Sequence, residues 1–182
     1  MRPVRASACL SLLALPIAVA CGGGGGGGGP TTPPVPASLV YVASSNPTAA
    51  AFALRATEST PTSLTLVLEA RGVDGLNGLA CDVVYPSALR FDGFTPGDLL
   101  TSGGATQSLQ VVESPPGRVV IGATRIGAAG LPAAQGVVAT LRFSAVATGS
   151  GAISFQESRA FDDRGGTLGA LSWVGGTVTV VR

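Results

Sequence analysis

Two acidic groupings are the first candidates for chemistry in this sequence. Asp92 and Asp98 flank the segment GFTPG, and Asp162 and Asp163 precede the turn RGG. Neither grouping has the alternating oxygen ligands and closing glutamate of an EF-hand calcium loop, and neither fixes two carboxyls across a cleft, as glycoside hydrolysis requires. Carboxylates in glycine-rich turns commonly accept hydrogen bonds from backbone amides. We therefore predict that these residues cap turns and that the chain has no metal site.

The chain contains no histidine, which removes several kinds of catalytic site. Neither a Ser-His-Asp triad nor a histidine-ligated zinc site can form. The cysteines are Cys9, Cys21 and Cys81, and only Cys81 belongs to the part predicted to fold, so a disulfide within the domain is excluded. Cys81 shares a strand face with Leu79 and Val83, which predicts a buried and unreactive thiol. The sequence thus predicts a protein without catalytic activity and without a cofactor.

Composition favours one packed domain that does not bind nucleic acid. Of the 182 residues, 46% are apolar and 12% are charged, and the formal net charge is +1. The apolar fraction is sufficient for a core. The sequence has no basic cluster, so nothing in it attracts a nucleic acid.

Residues 1–20 have the pattern of an export signal. Arg2 and Arg5 form a short basic region, and the uncharged segment 6–20 is too short to cross a bilayer as a helix. The segment ends in AVA before Cys21, which resembles the lipobox of bacterial lipoproteins. That resemblance implies cleavage before Cys21, acylation of its thiol and attachment to a membrane. An ordinary signal peptide, cleaved after the same AVA, is the alternative.

Residues 21–37 are predicted to be a tether between this anchor and a domain. The segment 22–29 contains only glycine and has the largest backbone entropy to lose on folding. The segment TTPPVP that follows favours a stiffer polyproline II conformation. Gly22 differs from the acidic residue that retains some lipoproteins at the inner membrane. We therefore expect an exported, lipid-anchored protein of the cell envelope, at the outer membrane where the organism has one.

Residues 38–182 are predicted to fold as an all-β domain. Apolar and polar residues alternate, as in Leu64, Leu66 and Leu68 on one strand face with Thr65 and Glu69 on the other. Glycine, proline and asparagine turn signals separate these runs. Short strands that each have one apolar face require two sheets packed face to face. About nine strands are predicted, near 39–43, 51–57, 63–72, 78–85, 89–95, 107–113, 118–126, 136–147 and 151–157, with a closing pair near 169–174 and 176–181.

The order of several motifs resembles that of the cohesin family over about residues 52–181. The first half is SLTLVLEARGVDGLNGLACDVVYPSALRFDGFTPGDLL, with a Cys-Asp strand, a tyrosine-proline pair and a PGDLL turn. The second half contains GVVATLRFSA, ISFQESRAFDDRGG and WVGGTVTVV in the same order as in cohesins. The chain departs from the family pattern at Tyr85-Pro86, because the aspartate that normally separates these residues is missing.

This resemblance implies a nine-stranded jelly-roll β-sandwich that binds a dockerin module on one flat sheet face and catalyses nothing. In cellulosomal members a dockerin-contacting strand carries Asn-Cys-Asp, where this chain has Ala80, Cys81 and Asp82. Asp82 would keep the outward carboxylate, whereas Ala80 lacks the amide that makes a hydrogen bond. On the neighbouring strand we expect Arg125 on the solvent side, with Thr124 beside it. The predicted partner-binding face therefore consists of Asp82, Ala80, Thr124 and Arg125, and the predicted partner is a dockerin or a dockerin-like protein.

Two other functions stay open at the level of sequence. Tyr41, Tyr85 and Trp173 suggest a carbohydrate-binding module that recognises polysaccharide, because sugar sites in β-sandwiches use aromatic platforms, although Trp173 near the closing strand is expected to be in the core. A structural domain of the envelope without a specific ligand is the second alternative.

Overall fold

The structure, a computed structural model, describes residues 38–182. The predicted signal peptide (1–20), the predicted tether (21–37) and the predicted acylation site Cys21 lie outside these residues. Among the described residues, no helix has the length and apolar character needed to cross a membrane.

Apolar and polar residues alternate with a period of two along the described segment. This pattern favours strands, because successive side chains of a strand point to opposite faces of a sheet. The strands are β1 (Ser38–Ala43), β2 (Ala51–Ser59), β3 (Ser63–Val73), β4 (Gly78–Val84), β5 (Leu89–Pro96), β6 (Thr106–Glu113), β7 (Arg118–Ile126), β8 (Ala134–Ala145), β9 (Gly149–Phe161), β10 (Ser172–Val174) and β11 (Gly176–Val181). A short 3₁₀ segment, Leu99–Gly104, lies between β5 and β6.

The strands form two sheets that pack face to face. One sheet has six strands in the order β1-β11-β9-β4-β7-β6, and the other has five in the order β10-β2-β3-β8-β5. Neighbouring strands are antiparallel, except that β10 runs parallel to β2. The predicted all-β jelly-roll sandwich is confirmed. The described residues form eleven strands, which correspond one for one to the nine predicted ranges and the closing pair. The short strand β1 pairs with β11, and β10 pairs with β2.

The closing segment passes from one sheet to the other at a glycine. β10 ends at Val174 in the five-stranded sheet, and β11 begins at Gly176 in the six-stranded sheet. A Cβ atom on Gly175 would lie 2.0 Å from the carbonyl oxygen of Ile153. Only glycine allows this close approach of two backbones, so Gly175 makes the crossing possible.

The core lies between the two sheets and consists of their inward side chains. On β3, Leu64, Leu66 and Leu68 are at most 1% exposed, as the alternation predicts. Fully burying such side chains contributes about 1.5–3 kcal/mol each, by far the largest favourable contribution in a sandwich of this size. The largest fully buried side chains are Phe52, Phe143, Leu54, Leu64, Leu66, Leu68, Leu76, Leu100, Ile121, Leu141, Ile153 and Val73.

Candidate functional site

The candidate site is the outer face, defined here as the side of the six-stranded sheet that points away from the core. Cross-strand pairing aligns its residues in rows across β6, β7, β4 and β9. One row is Gln110, Gly122, Ala80 and Arg159; the next is Ser108, Thr124, Gly78 and Phe161; a third is Val112, Val120, Asp82 and Gln156.

Most of the exposed large apolar side chains of the described domain lie on the outer face. Of the seven large apolar side chains that are exposed among residues 38–182, six lie on it and the seventh, Val146, follows β8. The six are Val40, Val42, Val112, Val120, Ile126 and Val181. Scattered apolar residues are ordinary on a protein surface, and Val40, Val42 and Val181 lie on β1 and β11, at the opposite edge of the sheet from β6 and β7. Val112 and Val120 are cross-strand partners, so this pair is the apolar part of the face that is the candidate for association.

The outer face of the five-stranded sheet is different, since charged side chains cover it. Glu69 forms ion pairs with Arg55 and Arg71 at 3.1 and 3.3 Å. Arg90 pairs with Asp92 at 3.0 Å on β5. These ion pairs make the outer side of the five-stranded sheet polar. Of the two sheets, the six-stranded one therefore has the more apolar outer face.

Small residues form a slot in the middle of the outer face. Gly78, Ala80 and Gly122 occupy adjacent positions on β4 and β7. A Cβ atom added to Gly122 would have no heavy atom within 4 Å. The slot is lined by Gly78 and Gly122, with Ala80 beside it, has a volume of about 530 Å³ and is open to solvent; its walls include Ser108 on β6 and Phe161 on β9.

Ala80 and Thr124 both lie on the outer face, next to this slot. Ala80 is half-buried on β4, and Thr124 is exposed on β7. Both positions agree with the predicted orientation of these residues, and Thr124 lines the slot itself. Their contribution to partner binding stays a prediction.

Asp82 also points to the outer face, but another side chain covers it. The residue is only 5% exposed, and its carboxylate accepts a hydrogen bond from the guanidinium of Arg118 on β7. Because removing a buried carboxylate from water is costly, this pairing satisfies a charge that the sheet would otherwise leave without a partner. Asp82 is thus an outward carboxylate that Arg118 shields from solvent.

Arg125 does not lie on the solvent side, and this part of the predicted face is wrong. Its side chain is on the inward side of β7, continuing the series Val119, Ile121 and Ala123, and the residue is 8% exposed. Nε donates to the carbonyl oxygen of Ala129 at 3.0 Å. Nη1 donates to the carbonyl oxygen of Leu100 and to Oγ of Ser102, both at 3.3 Å. The guanidinium therefore closes one end of the sandwich by holding the 3₁₀ segment and the loop after β7.

Cys81 is buried, as predicted from its register with Leu79 and Val83. The residue is 2% exposed, and the thiol forms no disulfide. Burial, together with the neighbouring charge of Asp82, raises the pKa of the Cys81 thiol to about 12. The thiolate is the nucleophilic form, so this thiol stays protonated and unreactive at neutral pH.

Of the four acidic residues predicted to cap turns, only Asp162 does so, and the Asp98 side chain makes no capping hydrogen bond. Asp162 accepts hydrogen bonds from the backbone amides of Arg164 and Gly166 at 2.9 and 2.7 Å, as the turn pattern predicts. Asp92 instead pairs with Arg90 and accepts a hydrogen bond from the hydroxyl of Ser144. Within residues 38–182, no group of three or more His, Cys, Asp or Glu side chains is arranged to hold a metal ion.

The aromatic residues that suggested a sugar platform lie mainly in the interior. Trp173 stacks on Phe52 with ring centroids 4.4 Å apart and is partly buried. Tyr85 is 5% exposed, and its hydroxyl donates to Glu113. The Tyr41 hydroxyl donates to the carbonyl oxygen of Leu54 at 3.1 Å. These three residues do not share an exposed surface, so the polysaccharide alternative gains no site from them.

Sequence reasoning missed three features of the outer face. Arg118 was not assigned a role, the exposed residues Val112 and Val120 were not singled out, and the opening at Gly122 was not anticipated. The alternation in RVVIGATRI contains the signal, because Val119, Ile121 and Ala123 on the inside place every other residue of β7 outside. The pairing of Arg118 with Asp82 depends on strand register, which the sequence of β7 alone does not reveal.

The geometry of the domain is similar to that of cohesin modules. A non-cellulosomal cohesin from the hyperthermophilic archaeon Archaeoglobus fulgidus is 16% identical, with coverage of 80% of this chain and 92% of that one and a TM-score of 0.52. A type II cohesin from Acetivibrio cellulolyticus, solved in a cohesin–X-dockerin complex, is 13% identical, with coverage of 68% and 94% and a TM-score of 0.58. The cohesin CaCohA2 from Clostridium acetobutylicum is 21% identical, with coverage of 74% and 96% and a TM-score of 0.56.

No protein-family model matches the sequence, and no curated protein matches it significantly. At these identities the structural similarity establishes the fold, and residues 38–182 form a cohesin-like β-sandwich.

We expect Arg125 to be needed for stability, because its loss leaves two carbonyl oxygens without a charged donor. Replacing Arg125 with methionine should lower the free energy of unfolding by about 1.5–3 kcal/mol. The matched substitution Arg159→Met, at an exposed position of β9, should change it by less than about 0.5 kcal/mol. Urea unfolding of both variants measures the difference, and equal values would show that the guanidinium does not hold this end of the sandwich.

Proposed function

We propose that this domain is a non-catalytic protein-binding module whose partner docks on the outer face of the six-stranded sheet. The observation that supports this most strongly is the contrast between the two sheets. Six large apolar side chains are exposed on the outer face of the six-stranded sheet, whereas ion pairs cover the outer side of the five-stranded sheet. Association removes apolar surface from water, which lowers the free energy of the complex. A partner is therefore favoured on the outer face of the six-stranded sheet over the charged side of the five-stranded sheet.

The proposed partner is a dockerin or a dockerin-like protein. Support comes from the cohesin-like fold and from the type II neighbour, whose structure was solved in a cohesin–X-dockerin complex. This chain has Ala80 where cellulosomal cohesins have asparagine, and Arg118 covers Asp82. The hydrogen-bonding pair of the family is therefore reduced here, and apolar contacts with residues such as Val112 and Val120 would provide more of the affinity.

We expect a charge placed in the centre of the outer face to weaken this association. Val120→Arg replaces an exposed apolar side chain with a second guanidinium beside Arg118, and a docked partner would have to remove this charge from water. The affinity for the partner should fall at least about tenfold, which corresponds to about 1.4 kcal/mol. The control is Val146→Arg, because Val146 is similarly exposed, at 49% against 40% for Val120, but lies outside the face.

The full chain is first used to capture a partner from envelope extract, and the partner is purified. Calorimetry then measures the Kd of this partner for the wild type and for each variant. Wild type and Val146→Arg should bind equally, with Val120→Arg weaker. Equal affinities for all three proteins would contradict the proposed face, and a captured partner without a dockerin-like sequence would contradict the proposed partner class.

We propose further that the protein is exported and held in the cell envelope by lipid on Cys21. Support comes from the basic start, the short apolar segment and the AVAC sequence, with a tether at 21–37 that would keep the domain away from the lipid surface. Gly22 favours the outer membrane in an organism that has two membranes.

Labelling cells with an alkyne fatty acid tests this anchor. The wild-type chain should incorporate the label and partition with membranes, whereas Cys21→Ala should lose both properties because the acceptor thiol is missing. Cys9→Ala is the matched control and should incorporate as much label as the wild type. Label retained by Cys21→Ala would show that the chain is not a lipoprotein acylated at this residue.

A further inference from the structure

The two sheets have four edge strands, and three of them are protected against pairing with another chain. β10 has only three residues. β5 has a register irregularity between Phe91 and Gly93, an exposed ion pair and a proline at its end. On β1, the carbonyl oxygen of Leu39 accepts a hydrogen bond from the Ser59 hydroxyl, so one end of that strand is already occupied within the domain. Short length, bulges, charges and proline are features by which proteins keep edge strands from associating.

The fourth edge strand, β6, has none of these protections. Among residues 38–182 it is the last strand at its side of the six-stranded sheet, and it pairs with β7 over eight residues without a register irregularity. It contains no proline, and its only charged residue is Glu113 at the end. A long, regular edge strand with little charge is a site where a further strand adds to the sheet.

Hydrogen bonds of the neighbouring strands show which backbone groups of β6 are free. The amide of Ser114 donates to the carbonyl oxygen of Arg118 at 2.9 Å, and the amide of Arg125 donates to the carbonyl oxygen of Asn77, on the β4 side, at 2.8 Å. Because the hydrogen-bonding direction alternates along a strand, both bonds require that the even-numbered residues of β6 face β7. The odd-numbered residues therefore direct their amides and carbonyls to the open edge: Gln107, Leu109, Val111 and Glu113.

The sequence of β6 is complementary to itself when two copies run antiparallel with Gln110 opposite Gln110. Leu109 of each copy then lies opposite Val111 of the other, and both side chains are on the partly buried, inward side. Gln107 lies opposite Glu113, so the two carboxylates do not face each other. Every one of these pairs joins groups that point to the open edge, and each pair can exchange two backbone hydrogen bonds. A second copy thus satisfies the free groups of both edges at once.

We propose that two copies of this chain associate through β6, around a twofold axis that passes between their Gln110 residues. The axis is perpendicular to the sheet, so the two six-stranded sheets join into one continuous sheet and both outer faces point in the same direction. This inference goes beyond the proposed function, because it makes the module bivalent. Two binding faces side by side increase the apparent affinity for a partner that carries two binding modules.

Disulfide trapping tests this arrangement on the full chain carrying Cys9→Ala and Cys21→Ala, in which the buried Cys81 is the remaining native thiol. Antiparallel pairs without mutual hydrogen bonds have Cα atoms about 4.5 Å apart, a distance that a disulfide bridges. Gln110→Cys should therefore form a covalent dimer on mild oxidation with copper phenanthroline, seen on a non-reducing gel. Ser108→Cys is the matched control on the same exposed side of β6, because its two copies are offset by about 13 Å along the strands.

A charge exchange at the axis tests the same contact without a covalent bond. Gln110→Lys and Gln110→Glu each place like charges opposite one another, which should raise the Kd of the dimer about two- to fivefold. An equimolar mixture of the two variants should return to the wild-type Kd or below, because opposite charges then meet. Sedimentation equilibrium measures these values, and since Gln110 is exposed, neither substitution disturbs the core.

Equal trapping of Gln110→Cys and Ser108→Cys, absence of a covalent dimer, or a mixture that associates no better than its two components would overturn the inference. Trapping of a different protein by Gln110→Cys in whole cells, in place of a second copy, would also overturn it. The proposed function is tested separately, because Val120→Arg should still weaken binding of the purified partner even if the chain does not dimerise.

Discussion

The packing of two sheets against each other is the constraint on which the rest of this structure depends. Each strand of the six-stranded sheet must direct alternate side chains into the core, where Leu79, Cys81 and Val83 are at most 2% exposed. Because successive side chains of a strand point to opposite sides, the intervening residues of β4 must lie on the outer face. The core therefore determines the position of Ala80 and Asp82 on that face, and strand register then determines which residues of β7 and β9 lie beside them.

The outer face that results is built from small and apolar residues, whereas the opposite outside of the sandwich carries ion pairs. Asp82 would interrupt this apolar surface with a carboxylate, but Arg118 pairs with it. The pair keeps the charge close to neutral at the centre of the face, where a free carboxylate would be costly to bury under a partner. The same face thus combines an apolar surface, a neutralised charge and an open slot at Gly122.

The fold could be predicted from the sequence because the period-two pattern is strong and the motif order is similar to that of cohesins. The site could be predicted only in part. Ala80, Asp82 and Thr124 lie on the predicted face, because their strands alternate regularly. Arg125 was misplaced because a charged side chain normally avoids the interior, although the alternation of β7 already puts it on the inward side. Its hydrogen bond to the carbonyl oxygen of Leu100, 25 residues away, depends on tertiary structure and could not be predicted from the strand itself.

The central claim is that one sheet face of this domain binds a protein. Hydrogen–deuterium exchange of the full chain, with and without its purified partner, tests this claim most directly, because bound partners slow exchange where they cover backbone amides. Protection should appear in β4, β6, β7 and the end of β9, with β2, β3, β5 and β8 unchanged. Protection confined to the five-stranded sheet would contradict the account.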